Sequence, residues 1–396
     1  MLRLVSLLLH AYIGARLLPS LLSRPTVFAL LAALLLASLL LMPMGVGLLV
    51  RRPLRLVDAG RLSLAGWLGW ILMGLFSSLF VLTLGRDIML LAAAGLDLLR
   101  PGSIGGAMLD LLNVDSALGV VLVSLLVTLF GFANARRTAA IVEVEVALSG
   151  LPPALHGFRI AQISDVHVGP TIRHSYMSRI VEAVNRLDAD LIAITGDLVD
   201  GSVAELAPHV APLTQLRSRH GTFFVTGNHE YYSNAPAWLA ELRRLGLQVL
   251  ENRHVVLEHT NADGAPPAQL VLAGVNDFGA GHFDATQRSD AGQAIAGAPS
   301  SAAVRILLAH QPRSAPAAAD AGFDLQLSGH THGGQFFPWN FFVKLQQPYV
   351  AGMHKLRSLL VYTSRGTGYW GPPLRFGAPS EITLLRLVTA SEDGAN

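Results

Sequence analysis

A chain of 396 residues is long enough for two or three domains, and its 52% apolar, 14% charged composition is the average of a membrane bundle and an ordinary soluble domain. A formal charge of +2, with no basic run carrying interleaved aromatics, gives no ground for nucleic-acid binding. The absence of cysteine excludes disulfides and thiolate metal sites.

The first apolar segment, residues 4–22, is interrupted by His10 and Arg16 and preceded by Arg3. It reads as a retained span, the alternative being a signal-like segment with Ala15 as a poor cleavage position. Residues 25–50, 62–85 and 117–135 are uncharged apolar stretches, each long enough to cross a hydrocarbon core of roughly 30 Å. Helices of soluble proteins rarely run so far without a polar face. Residues 88–99, bounded by Asp87 and Arg100, are too short for another crossing and are expected at the interface. Residues 1–137 therefore read as a membrane domain of three or four transmembrane helices. Arg51, Arg52, Arg55 and Arg61 follow the second span and Arg136 and Arg137 the last, while residues 86–115 carry more acids than bases. The positive-inside rule then places both arginine clusters, and the domain that follows, in the cytoplasm.

Beyond residue 150 the pattern changes to short apolar runs, at 159–164, 191–195, 222–226, 304–309 and 324–328, which read as buried strands. Helical patterns lie between them: Tyr176, Ile180, Val181, Val184 and Leu187, then residues 203–216, then 238–245. This alternation makes parallel βαβ units. After Gly246, apolar runs at 248–258, 269–274, 359–364 and 381–387 come with fewer helices. Residues 261–267 read as a polar turn, 299–302 as a loop and 391–396 as a tail.

Each of the five strand-like runs ends in a polar block: Asp165-Val166-His167, Gly196-Asp197-Leu198-Val199-Asp200, Gly227-Asn228-His229-Glu230, His310, and Gly329-His330-Thr331-His332. A lone Asp-x-His or His pair is more often a surface turn than a ligand pair. Five blocks of carboxylate, amide and imidazole donors at consecutive strand ends are another matter, because borderline divalent cations need that donor set gathered at about 2.0 to 2.2 Å. Together they describe a site for two metal ions. Asp165 and His167 share a side only if the chain stays extended there. Gly196, Gly227 and Gly329, each just before a proposed ligand, suit a close backbone approach.

These blocks resemble the calcineurin-like metallophosphoesterase superfamily, over about residues 157–387, and the run Gly329–Gln335 with Ser364-Arg365-Gly366 and 375–379 is similar to a bacterial membrane-associated phosphodiesterase branch. The resemblance implies a four-layer αββα sandwich of two mixed sheets over residues 150–390, behind the N-terminal helical segment. It implies that Asp165, His167, Asp197 and His332 hold one ion and Asn228, His310 and His330 the other, with Asp197 bridging; Mn, Fe and Zn all suit such donors. His229 is implied to face the scissile phosphate and protonate the leaving oxygen, so the catalytic pair is His229 and Asp197. Asp200 and Glu230 either orient histidine ligands or cap loops, the latter being favoured. Arg365 is a candidate phosphate clamp, and His174, Tyr231 and Tyr232 are candidates for the mouth of the crevice.

The expected protein is an integral membrane hydrolase, of a bacterial inner membrane by the resemblance, acting on a phosphoester or pyrophosphate of a lipid-linked substrate such as a phospholipid or UDP-diacylglucosamine. The competing readings are a broad phosphodiesterase or phosphomonoesterase on soluble substrates, a non-enzymatic membrane scaffold, and a transporter. The last is disfavoured because the spans after the first carry no internal acid or base. Nothing in the residues indicates an oligomeric state.

Overall fold

The computed structural model describes residues 2–50, 59–260, 265–336 and 339–390 and divides into two units, Met1–Arg136 with Gly371–Phe376, and Arg137–Trp370 with Gly377–Asn396. Arg51, Arg52 and Arg55, most of the 261–267 turn and the 391–396 tail lie outside the described residues.

In the first unit, the helices Leu2–Leu17, Pro25–Val50, Ala59–Leu99 and Ser116–Arg136 carry four segments long and apolar enough to cross a membrane. Their buried seam is made by Ile13, Leu17, Leu31, Leu35, Leu75, Leu79, Val120 and Val121. Leu30, Leu40, Leu64, Leu122, Leu129 and Phe130 point outward and are exposed, as suits a bundle whose solvent is lipid. A Cβ on Gly69 would lie 2.4 Å from the Leu41 carbonyl oxygen, so the small residue is what lets the second and third helices approach.

Two sequence expectations change here. Residues 88–99 are not a separate segment, since the helix Ala59–Leu99 runs through Asp87 unbroken. It does so because the charges are partnered. Arg86 donates to Ser116 Oγ at 2.8 Å, Ser20 Oγ at 3.0 Å, and the carbonyls of Asn113 and Arg16 at 2.9 and 3.2 Å. Asp87 accepts from Tyr12 at 2.7 Å and from Arg16 Nε at 2.8 Å. His10 likewise meets Ser38 Oγ at 3.0 Å. The polar residues that interrupt the first apolar run are thus the ones that tie that helix to its neighbours. The third span therefore does hold a buried base, Arg86, and a half-buried acid, Asp87, each partnered by residues of neighbouring helices and their ends.

Among the described residues the second unit holds twelve strands: β1 (Ala140–Leu148), β2 (Arg159–Ile163), β3 (Leu191–Ile194), β4 (Thr222–Phe224), β5 (Gln248–Val249), β6 (Arg253–His259), β7 (Ala268–Gly274), β8 (Val304–Leu308), β9 (Leu325–Ser328), β10 (Gly352–Leu356), β11 (Leu359–Thr363) and β12 (Glu381–Thr389). They form two six-stranded mixed sheets, ordered β1-β12-β2-β3-β4-β5 and β10-β11-β9-β8-β7-β6. Ile160, Leu191, Ala193 and Phe223 from one sheet and Leu270, Leu272, Ile306, Leu308, Leu325 and Leu327 from the other share one buried core. Ala273, Leu307, Ala309 and Val361 turn the other way, onto Ala291, Ala294, Ala315 and Ala318 of the short helices outside the second sheet. The amphipathic helix His174–Asn185 buries Met177, Ile180, Val181 and Val184. The result is a four-layer αββα sandwich.

Strands β2 to β5 are mutually parallel, as are β7, β8, β9 and β11, so each sheet delivers its C-terminal strand ends to one edge. Two strands escape the sequence reading. β10 is short and polar, and β1, with Glu143 and Glu145 in it, pairs in parallel with β12 along its whole length and extends the unit back from residue 150 to Arg137.

Candidate metal centre

All five blocks meet at that edge. The loops after β2 and β3 run side by side: Asp165 N–H donates to Gly196 O at 3.0 Å, His167 N–H to Asp197 O at 3.1 Å, and Val168 pairs with Val199. The backbone there is not extended, contrary to the condition set for Asp165 and His167. Asp165, His167, Asp197, His330 and His332 all have positive φ, between 51° and 70°, a conformation that costs L residues energy and persists only where neighbouring bonds enforce it. Asp165 and His167 still converge, their ligand atoms lying within 4.8 Å of each other and of His332.

The glycines before the ligands behave as expected. A Cβ on Gly227 would sit 2.2 Å from Asp197 Oδ1, and one on Gly329 would sit 2.0 Å from Ser164 Oγ and 2.2 Å from Asp165 Oδ2. Any side chain there would displace a donor.

The donors fall into groups whose ligand atoms lie within 4.8 Å of one another: Asp165, His167 and His332; His167, Asp197 and His229; and Asp197, His310 and His330. His167 Nε2 faces His332 Nε2 at 3.1 Å, and His310 Nε2 faces His330 Nδ1 at 3.2 Å. Asp197 joins the groups through one oxygen. Its Oδ1 accepts the His229 N–H at 2.8 Å, which leaves Oδ2 at 3.1 Å from His310 Nε2 and 3.9 Å from both His167 Nε2 and His229 Nε2.

The residues fit a pair of divalent cations. His310 Nδ1 is 2.7 Å from the Thr195 carbonyl, an acceptor, so a neutral His310 keeps its proton on Nδ1 and turns the lone pair of Nε2 inward. Asp200 Oδ1, at 3.1 Å, does the same for His167 Nδ1. With Nδ1 held outward, these imidazoles turn ring nitrogens to those of His330 and His332 at about 3 Å, the orientation in which they can serve as ligands. Asn228 Oδ1 is buried with no hydrogen-bond partner, as an amide oxygen reserved for a ligand role would be.

The electrostatics agree. Burial would lower the proton affinity of His310, yet Asp197, Asp165 and Asp277 raise its pKa well above the usual imidazole range, and a field that holds a proton so firmly would hold a dication. Burial and the His310 charge depress His330 to about 3, leaving its imidazole neutral as a ligand must be. Asp165 is pushed up by burial, against the pull of His310.

Asp200 is more than the loop cap favoured from sequence. Its Oδ1 lies 2.6 Å from His229 Nδ1 as well as 3.1 Å from His167 Nδ1, so one carboxylate orients two imidazoles. Burial opposes its ionisation, but the two histidines bring its pKa down to about 2. For His229, burial is outweighed by Asp197 and by the bond to Asp200, which raise its pKa to about 9. Glu230 does hold a loop: it accepts the N–H groups of Asp197, Leu198 and Gly227 at 3.0, 2.7 and 2.7 Å, and burial followed by the nearby Asp197 charge moves it up to about 7.

Other candidates are placed less centrally. Arg365 Nη1 pairs with Glu381 Oε2 at 3.0 Å. His174 is an exposed residue starting its helix. Tyr231 donates to Gln287 at 2.9 Å, whereas Tyr232 stands beside His229 with ring centroids 5.1 Å apart. One group has no counterpart in the sequence reading. Asp277, buried after β7, takes both Gln311 Nε2 contacts at 3.1 and 2.8 Å, and Gln347 donates to Gln311 Oε1 at 3.1 Å, bracing the residue next to His310. Its signal was the same as for the five blocks, an Asn276-Asp277 pair just past an apolar run.

Residues 158–334 match the sequence model of the calcineurin-like phosphoesterase family. The chain is 42% identical over 275 residues to a transmembrane protein with metallophosphoesterase domain from Bos taurus, covering 68% of this chain and 62% of that one. An uncharacterised metallophosphoesterase of Helicobacter pylori (strain J99) is 38% identical over 267 residues, covering 66% and 67%, and one of Bacillus subtilis (strain 168) is 30% identical over 272 residues, covering 66% and 91%. The chain spans 62% of the length of the bovine relative and of a similarly named one from Danio rerio. It belongs to the calcineurin-like metallophosphoesterase family, and its N-terminal helices make it a membrane protein.

Proposed function

We propose that this family member is a membrane-anchored hydrolase of phosphoester or pyrophosphate bonds that uses two divalent ions, of Mn, Fe or Zn, and acts on a lipid-linked substrate. The observation that carries the reading is Asp197 Oδ2, the oxygen not taken by the His229 N–H, standing between two sets of inward-facing donors. Asp165, His167 and His332 would hold one ion, and Asn228, His310 and His330 the other, with Asp197 shared. When bound, such a pair supplies Lewis acidity toward the phosphoryl oxygens and a water of lowered pKa.

The chain's own residues supply the proton and the geometry. His229 keeps its Nδ1 on Asp200, so Nε2 is the nitrogen free to turn to substrate; against burial, Asp197 and the bond to Asp200 raise its pKa, which favours the protonated form that a donor to the leaving oxygen must take. Its side chain is 15% exposed, against 11% for His332, 1% for His167 and none for His310, so it reaches the solvent side of the site. Glu230 fixes the loop bearing Asp197, and the positive φ at five donors aims them from short loops. The four apolar helices support a substrate confined to a bilayer, and the arginines at the span ends support a cytoplasmic domain on an inner membrane.

The test is a metal-reconstituted screen of the detergent-solubilised chain across a phospholipid, a UDP-linked lipid and bis(p-nitrophenyl) phosphate. Hydrolysis that needs added metal is expected, with the lipid-borne substrates preferred. Preference for the soluble diester would favour the broad phosphodiesterase, and no hydrolysis with any metal would leave only the scaffold reading.

A further inference from the structure

The rim around the metal centre is aromatic to a degree that the chemistry above does not use. From His229 a line of rings runs outward: Trp370 at 5.7 Å and Tyr232 at 5.1 Å between centroids, then Phe283 at 5.7 Å from Tyr232. Phe278, just past Asp277, lies under the Arg313 guanidinium at 4.9 Å from its centroid. A second arm leaves the site from His332. The short helix Trp339–Val343 packs on the turn His332–Gly334 and presents Phe342, followed by Lys344 and Leu345. Tyr232 is 64% exposed, Phe283 and Phe342 54%, Trp370 45% and Leu345 85%. The two arms flank one opening, since the rings of His229 and His332 lie 4.6 and 5.0 Å from that of His167.

A soluble domain seldom leaves so many large apolar side chains around one mouth without something to cover them. Their chemistry says what covers them. Aromatic rings, with a lysine whose stem can lie along the apolar layer while its head stays wet, are the composition of a membrane–water interface. The tether says that such an interface is within reach. Residues 137–139 alone lie in the chain between the last apolar helix, ending at Arg136, and β1, starting at Ala140.

We propose that this rim, built from Tyr232, Phe283, Trp370, Phe342 and Leu345, docks into the headgroup layer of a lipid bilayer, so that the metal centre opens onto the membrane surface rather than onto bulk water. The surface refines the lipid-linked reading of the substrate and rests on it for its catalytic consequence. Its location in the bilayer can be measured without any activity.

The cysteine-free chain allows single labels. Full-length Phe283→Cys, Phe342→Cys and Leu345→Cys would carry nitroxides in phosphatidylethanolamine–phosphatidylglycerol nanodiscs, with Ser358→Cys as control. Ser358 is exposed in the turn between β10 and β11, at the opposite end of the sheet from the strand ends that deliver the ligands. The rim labels should be accessible to oxygen and shielded from a water-soluble nickel chelate, with Ser358 the reverse. Quenching of native tryptophan fluorescence by doxyl lipids should also weaken in Trp370→Phe, which requires no cysteine variant. In parallel, Phe342→Ser combined with Leu345→Ser should slow hydrolysis of p-nitrophenyl hexadecyl phosphate held in the nanodisc about tenfold, while leaving bis(p-nitrophenyl) phosphate unchanged. Rim labels as open to the nickel chelate as Ser358 would overturn the proposal, and so would dipolar broadening between rim labels, which would mean that a second copy covers the rim. If neither diester is hydrolysed, the hydrolase reading fails and the label depths still decide the docking.

Discussion

Replacing Asp200 by Asn tests whether one carboxylate tunes the acid. The substitution keeps an oxygen where Oδ1 now meets His229 Nδ1 at 2.6 Å and His167 Nδ1 at 3.1 Å, so both rings can stay in place, but it removes the charge. His229 stands at about 9 against an ordinary 6.5, a difference of about 2.5 units or ~3 kcal/mol. Asp197 is the largest favourable contributor and Asp200 supplies the hydrogen bond and a further charge. Loss of the Asp200 charge and of its bond to Nδ1 should therefore lower the His229 pKa and move the basic limb of the kcat profile to lower pH, with turnover falling on the order of tenfold at the alkaline end. The assay is kcat against pH for wild type and Asp200→Asn, with bound metal measured on the same samples. Metal content should persist, since Asn can still accept from His167. An unmoved basic limb, with activity falling only in step with metal loss, would refute the account.

The remaining expectations concern ligands, pH and sidedness. Elemental analysis of the purified chain should find close to two ions, with Asp197→Asn lowering both occupancies because its Oδ2 faces both donor sets. His330→Ala should lose metal, whereas His229→Ala should keep it and lose on the order of 10²-fold in turnover; metal loss in His229→Ala would instead make that residue a ligand. In the chelator-treated protein, His229 has a folded pKa raised from 6.5 to about 9, so its stabilising contribution is fully present below pH 6.5 and disappears as pH rises through about 9. Thermal denaturation should show that decline, up to about 3 kcal/mol, in the wild type and a shallower one in His229→Gln. A reporter fused after Asn396 should behave as cytoplasmic, because both arginine clusters lie on one side of the two spans between them; cleavage of the domain by protease added to intact cells would invert the topology.

Much of the site is legible in the chain because a strand and the residue that follows it are written side by side. An apolar run such as residues 191–194 must be buried, and what comes next, Gly196-Asp197, must emerge at the rim. The same local logic exposed the glycines, whose missing Cβ leaves room for the Asp197 and Asp165 carboxylates, and the apolar spans, whose length alone measures a bilayer. That the strands form two mixed sheets followed only through resemblance, and their order came from the structure alone. Local sequence does not say that β1 pairs with β12 from the far end of the chain, and a strand holding Glu143 and Glu145 announces itself weakly.

What tertiary structure decided is how those donors are aimed and how charges are shared. Positive φ at Asp165 and His167 is unfavourable for either residue alone and is held by hydrogen bonds to the loop after β3, so no reading of Asp-x-His could supply it. Asp200 became an orienter of two histidines because those loops zip together, and Arg365 was drawn to Glu381 because β12 runs beside β2. The same holds in the helical unit, where Arg86, Asp87 and His10 look like interruptions in sequence and become cross-links once their partners on other helices are in place. Composition and periodicity are properties of neighbours along the chain; the cost of a charge or of a strained dihedral depends on neighbours in space, which only the folded chain assembles.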